Sequence, residues 1–428
     1  MSSDPISTTP IGPFTLGVNN RRPEYEMDRP AANGAKQAFL RSAINVDITA
    51  DGSVRRRSGM QRVLAGDACH SLWSADGSVG YYVDGGDLCR VVMAGDSLAK
   101  AVLRTDMLVD TPVSFADTPV GIHYSDGVLL RRLTATGGDT PAGVSAIQVD
   151  PLVTVSTGGS LQAGHYGLCF TFRNSAGEES ASTVPVQVTV PANGKISVIQ
   201  AAWSWPDDAA VMAVYMTPPD AETFMRVAFI TGAGQSTAIS TRPVFHEQCA
   251  TLLLAPMPAG SIVRYANSRL LVANGNTLTY SEPFMPGLHD PVKGYIPFLA
   301  PITVVEPSQF GVYVVADQTY WFAGDIAQAT AVPVLPYGGV AGSGGHIPNE
   351  NVCFWMSPRG LVKGDQSGNV TNIQEANVSV APAQRAATMF RESDGMKQLI
   401  SSSFGAGTNQ MSAHSFIDAE VIRKGTTL

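Results

Sequence analysis

Residues 269–281 read RLLVANGNTLTYS: an apolar run, a short polar turn, and a second run that alternates apolar with hydroxyl side chains. Asn and Gly accept the positive φ that a tight reversal needs, and alternation places one set of side chains on one face of a sheet. The stretch predicts an antiparallel β-hairpin. Four more stretches share the pattern: GYYVDGGDLCRV at 80–91, GIHYSDGVLLRRL at 121–133, FGVYVVADQTYWFAG at 310–324 and VCFWMSPRGLVKGD at 352–365. Their turn centres, Gly85, Asp126, Gly275, Asp317 and Pro358, are spaced by 41, 149, 42 and 41 residues.

A repeat of roughly 40–45 residues is the length of a four-stranded propeller blade. The long interval is one period plus 108 residues, room for a small inserted β-sandwich. That insertion falls at about 147–250, where short strands recur between turn clusters such as NSAGEES. A further hairpin, QLISSSFGAGTNQMSAHSF at 398–416, supplies a sixth unit. The expected fold is therefore all-β, a β-propeller of about six blades with an inserted fibronectin type III or immunoglobulin-like β-sandwich. The expected organisation is an N-terminal arm over 1–40, a first part of the propeller over 41–146, the insert over 147–250, and a second part over 251–428. Helical periodicity is confined to two short candidates, AAWSWPDDAAVMAVY at 201–215 and SVAPAQRAATMFRES at 379–393.

Composition agrees with many short strands: 42 Gly, 28 Pro and 44% hydrophobic residues against 15% charged ones. The net charge of −8 opposes a protein whose main task is gripping DNA phosphates. Five cysteines, Cys69, Cys89, Cys169, Cys249 and Cys353, are scattered without a CxxC pair, so reduced and mostly buried thiols are expected. Cys169 has no partner at immunoglobulin spacing. The N-terminal residues lack the basic and apolar regions of a signal peptide, and no apolar run reaches the roughly 18 residues of a membrane span.

No GxSxG, GxxxxGK[ST], HExxH or strand-linked GxGxxG motif occurs. His246, Glu247 and Cys249 do not have a common zinc spacing and read as a loop leaving the insert. YGGVAGSGGHIPNE at 337–350 has no Lys to reach a phosphate and reads as a loop between blades. Asp207-Asp208 reads as a turn or helix start, and Glu178-Glu179 as part of a turn in the sandwich. The aromatic pairs Tyr81-Tyr82, Tyr320-Trp321 and Phe354-Trp355 could stack on sugars, but neighbouring strand residues face opposite sides and suit packing between blades. The chain reads as non-enzymatic, with no cofactor or metal.

One motif stands apart. NVDITADGSVRRRSG at 45–59 places Arg55, Arg56 and Arg57 just after a Gly turn. Together with TLGVNNRRPEYEM at 15–27, it resembles the opening of bacteriophage tail proteins of the nozzle or packaged-DNA-stabilisation (tail hub) type, a β-propeller family. The matching positions are Gly17, Asn19, Asn20, Ala43, Asn45, Val46, Asp47, Gly52, Arg56, Arg57 and Gly59. HSLWSADGSVGYYVDGGDLCRV, FTFRNSAGEESASTVPVQVTV and FWMSPRGLVKGDQSGNVTNI resemble the first blade, the insert and a late blade of such proteins.

The resemblance implies a structural virion protein, a nozzle or hub subunit in a ring of usually about six copies around the tail axis. Its partners would be other copies of itself, portal-proximal adaptor proteins and tail fibres or tip proteins, with DNA passing transiently through the channel. Assembly would occur in the host cytoplasm. An acidic chain suits a conduit that must not hold DNA, and an acidic or neutral lumen is expected. The alternative readings are a carbohydrate- or receptor-binding tail protein, at the tail tip or a fibre attachment, and a glycan-degrading propeller enzyme.

Within the arginine motif, alternation puts Arg56 on the face opposite Arg55 and Arg57. Asp47 and Asp51 are within reach as cross-hairpin partners. The motif hairpin, represented by Asn45, Asp47, Gly52, Arg55, Arg56, Arg57 and Gly59, is expected to serve closure of the propeller or contact with a neighbouring subunit.

Overall fold

A computed structural model describes residues 12–405 and 420–423, apart from 31, 44–45, 50, 58–61, 96, 136, 201–204, 348–349, 380–382 and 394–395. The chain is all-β. Among the described residues the one helical element is a single 3-10 turn, Glu24–Glu26. Two compact units divide it: 64–301, and 1–63 with 302–428.

Unit 64–301 holds three four-stranded antiparallel meanders. The first is His70–Trp73, Val79–Asp84, Asp87–Ala94 and Ser97–Arg104. The second is Ser114–Thr118, Gly121–Ser125, Leu130–Leu133 and Asp139–Pro141. The third is Ile262–Ala266, Arg269–Asn274, Thr277–Tyr280 and Tyr295–Pro297. The other unit holds a fourth meander, Val304–Ser308, Gly311–Val315, Thr319–Ala323 and Val332–Leu335, and a fifth, Gly345–Ile347, Val352–Ser357, Gly360–Gly364 and Val370–Asn372. All five hairpins read from the sequence form the central pair of strands of one meander.

Successive meanders within a unit pack face to face. Val83, Leu88, Phe115 and Tyr124 make one core between the first and second. Ala116, Val263 and Leu270 join the second to the third. Tyr313, Trp321, Trp355 and Val362 join the fourth to the fifth. This explains the continuous apolar runs: Gly311–Val315 is buried at every position, because both faces of a central strand are covered. Outer strands such as Ser97–Arg104 are largely exposed.

A last sheet contains Ala383–Ser393, Met396–Gly405 and Glu420–Arg423. It packs on the fifth meander through Ala386, Leu399, Phe354 and Met356. The turn expected near Gly405 falls in 406–419, outside the described residues; Met396–Gly405 is the central strand and pairs antiparallel with both Ala383–Ser393 before it and Glu420–Arg423 after it.

Both helix expectations fail. Ala383–Ser393 is rich in helix-forming Ala, Gln, Arg and Met, but its whole length pairs with the next strand, and tertiary pairing overrides propensity. Val211–Met216 lies between two strands and is buried on both faces, and Asp207-Asp208 forms the turn before it.

The insert is a β-sandwich. A three-stranded sheet (Leu152–Leu161, Gly194–Ile199, Ser236–Ile239) faces a four-stranded one (Val186–Val190, Gly164–Arg173, Val211–Met216, Met225–Ile230). Ile196 and Val198 from the first meet Leu168, Phe170, Phe172 and Val214 from the second. Both ends of the insert converge on Gly287. A β-carbon there would sit 2.6 Å from Gly143 Cα, and the Met257 amide donates to the Gly287 carbonyl at 2.9 Å. Neither glycine can carry a side chain without separating the two backbones.

Candidate functional site

The arginine motif folds as the short hairpin Val46–Ile48 and Val54–Arg56, with Asp47 opposite Arg55. Thr49 and Ser53 close the turn through a backbone bond of 2.8 Å. Asp51 does not pair with an arginine. It accepts hydrogen bonds from the Ser53 hydroxyl at 2.6 Å and from the Thr49 hydroxyl, which hold its carboxyl down at about 2. The short turn spends the Asp51 side chain on its own hydroxyls before it can reach across the strands.

Gly52 fixes the hairpin to the N-terminal segment. Its φ is +84°, its carbonyl accepts from the Phe14 amide at 2.8 Å, and a β-carbon would meet Phe14 N and Pro13 Cβ at 2.8 Å. Left-handed backbone and close approach together require glycine here.

The three arginines divide by role. Arg57 Nε lies 3.4 Å from Asp47 Oδ1, with 15% and 9% of the two side chains exposed. Arg55 and Arg56 are exposed and have no ion pair among the described residues. Asn45 and Gly59, expected as members of this site, lie outside the described residues.

Among the described residues the two strands of the hairpin pair only with each other, so the hairpin does not join a later sheet as the closure reading expected. The nearby Asn19 and Asn20 instead tie the N-terminal segment to the stretch just after the fifth meander. Asn19 is fully buried, donates from Nδ2 to Asn377 Oδ1 at 3.1 Å, and accepts the Arg21 and Arg22 amides. Asn20 Oδ1 accepts from the Ser379 amide at 2.7 Å. The sequence marked Asn19 and Asn20 only through resemblance, because nothing local signals a partner 358 residues away.

Charge is uneven along the chain. Residues 1–63 carry nine Lys/Arg against six Asp/Glu, a net +3, whereas the remainder carries 19 against 30, a net −11.

A second polar constellation ties the insert to the second meander. Arg132 donates in bidentate fashion to Glu178 at 2.6 and 2.9 Å, and Asp208 accepts the Ser145 amide. The Arg132 guanidinium, with help from Asn174, holds the Glu178 carboxyl below its ordinary range. Beside the pair, His123 is fully buried, with Nε2 3.1 Å from the Ala142 carbonyl and Nδ1 3.2 Å from Thr118 Oγ1. Burial, reinforced by nearby Arg132, lowers its pKa to about 4.

The unfolded chain thus binds a proton near pH 6.5 that the folded chain refuses. Stability falls as pH drops from about 6.5 toward 4, by about 2 kcal/mol between pH 7.5 and 5. Urea titrations at the two pH values measure this. His123→Gln should flatten much of the slope, while His70 and His289, also lowered by burial, retain the rest.

The other singled-out residues are structural. Glu247 pairs with Arg226 at 2.7 Å and Arg173 at 3.0 Å, and Glu179 with Arg173 and the Tyr215 hydroxyl. The glycine-rich segment is only partly a loop: it leaves the fourth meander and includes the first strand of the fifth, Gly345–Ile347, with Ser343 buried and accepting the Met356 amide at 3.0 Å. Tyr82, Trp321, Phe354 and Trp355 are buried, and Tyr81 and Tyr320 half-buried, which is the packing use. Among the described residues no three metal-ligating side chains converge, and no helix is long and apolar enough to cross a membrane.

No family model matches the chain, and no curated protein matches it. Solved structures align with most of it at low similarity. Streptogramin B lyase is 8% identical, covering 78% of this chain and 91% of that one at a TM-score of 0.34. The Pan2 WD40 domain of Neurospora crassa is 11% identical, covering 78% and 86% at 0.33. A BBS1N structure in complex with ARL6DN is 10% identical, covering 80% and 90% at 0.30. At these values the likeness supports no inference about function.

Proposed function

We propose that this chain is a structural subunit of a bacteriophage tail, a nozzle or hub component that forms a closed ring of about six copies around the path of the genome. Its meanders are the blades of a β-propeller, and its insert is a sandwich of the fibronectin type III or immunoglobulin class. The protein works by assembly and shape rather than catalysis. It contacts adaptor proteins on one side and fibre or tip proteins on the other.

The observation that carries this reading is the arginine hairpin. Gly52, Asp47 and Arg57 fix its shape, yet Arg55 and Arg56 stand exposed on a locally cationic segment of an acidic chain. Such a surface suits the acidic remainder of a neighbouring copy, where arginine can bind carboxylates in bidentate pairs. The overall acidity also limits retention of DNA during passage.

Native mass spectrometry and negative-stain imaging of the purified protein test the reading. Wild type should give closed rings at micromolar concentration. Arg55→Ala with Arg56→Ala should shift the population at least tenfold toward monomer with an unchanged melting temperature. Persistently monomeric wild type, together with its absence from purified particles, would sink the proposal.

A further inference from the structure

The insert contains a feature the spacing of its cysteines conceals. Cys169 and Cys249 are 80 residues apart in sequence, yet both side chains lie in one buried cluster with Ala213, Tyr215 and Phe224. Cys169 sits on the central strand Gly164–Arg173. Leu168 and Phe170 on either side point into the sandwich core, so Cys169 points to the opposite face. That face is covered by the chain leaving the insert. His246 and Cys249 donate backbone bonds to Arg226 and Phe224, and the Thr251 carbonyl accepts from Ser182. The exit segment thereby lays Cys249 against Cys169. Both are free thiols, fully or nearly fully buried.

We propose that Cys169 and Cys249 form a redox-linked pair, which a low-molecular-weight disulfide of the glutathione type converts into an intramolecular disulfide. The inference rests on the insert alone and is independent of the assembly proposed above. In the first step the Cys249 thiolate attacks one sulfur of the oxidant and releases one small thiol. In the second, Cys169 attacks the Cys249 sulfur of this mixed disulfide and releases the other. The protein loses two electrons and two protons, and one oxidant disulfide becomes two thiols.

The order follows from the surroundings. The neighbouring Cys169 and the Thr251 hydroxyl and backbone favour Cys249 as the thiolate, whereas the proximity of Cys249 and burial keep Cys169 protonated. Cys249 also lies on the covering segment, so a local opening exposes it first.

The bond would close a loop of 80 residues and tie the exit segment to the middle of the sheet. A loop of this size restricts the unfolded chain strongly, and a rise of several degrees in the melting temperature is expected.

The test is incubation of the folded full chain with oxidised glutathione, followed by alkylation and peptide mapping. The expected product is one Cys169–Cys249 linked peptide, a melting temperature raised by several degrees, and reversal of both by dithiothreitol. Exposed Cys69 should carry only a reversible glutathione adduct. Cys249→Ser should remove the linked peptide and the thermal shift together. Recovery of Cys169 and Cys249 only as unlinked thiols from the folded wild-type chain overturns the proposal, as does linkage of either to a different cysteine.

Discussion

Trp355→Ala is expected to destabilise the protein by about 3–5 kcal/mol, the largest loss from any single truncation considered. Trp355 is fully buried. Its ring lies 5.2 Å from that of Tyr313, which lies 4.5 Å from Trp321, so three aromatics bridge the fourth and fifth meanders. The space they fill is prepared by Gly364, where a β-carbon would come within 2.6 Å of the Tyr313 ring. Tyr313 is also fixed through its hydroxyl, which donates to the Asp365 carbonyl at 2.6 Å. Backbone on one side and sheet on the other prevent collapse into a tryptophan-sized void.

Trp355→Phe makes the comparison sharper. Trp355 Nε1 is buried without a hydrogen-bond partner, so phenylalanine removes an unsatisfied donor while losing some packing. Its expected cost is about 1 kcal/mol. Denaturant titration of both variants measures the difference. Equal costs would mean that the indole nitrogen, not the ring volume, governs this position.

Glu178→Ala is expected to cost about 3 kcal/mol, because it strands a buried cation rather than because the ion pair itself is strong. Only 11% of the Arg132 side chain is exposed, against 30% of Glu178, and Arg132 Nε is already buried without a partner. Once Glu178 is truncated, Arg132 keeps its desolvation and loses both bidentate bonds. Arg132→Met, which removes the charge and keeps the aliphatic stem, should cost less than Glu178→Ala. Denaturant titration ranks the two, and faster proteolysis near 144–150 in Glu178→Ala would place the damage at the neck of the insert. The reverse ranking would show that Glu178 is the costlier residue to leave unpaired. Because Glu178 has a lowered pKa, its contribution is complete above the ordinary glutamate range. It disappears as pH falls through the folded value.

Local features were legible in the sequence and distant ones were not. The DGG, SDG and NGN turns reverse the chain within a few residues, so the hairpins and their spacing could be read directly. Segment 379–393 misled because its composition favours a helix while its actual partner is the strand that follows. The arginine run was visible, but its division into one packed and two exposed side chains depended on which of Asp47 and Asp51 was already occupied. Asn19 with Asn377, Arg132 with Glu178, and Cys169 with Cys249 are contacts of high sequence separation between unremarkable residue types. No periodicity announces them.

The meeting of Gly143, Gly287 and Met257 has a consequence for how the chain finds its fold. Ser114 and Val263 bond at a sequence separation of 149 residues. With the insert unfolded, closing that loop carries the entropy of a long flexible chain, which rises with the logarithm of its length. A folded insert returns the chain beside its starting point and shortens the effective loop to little more than two meander edges. The sandwich therefore acts on its host as a covalent splint. Its early folding would speed the pairing of the second and third meanders, and a slow-folding insert would delay it.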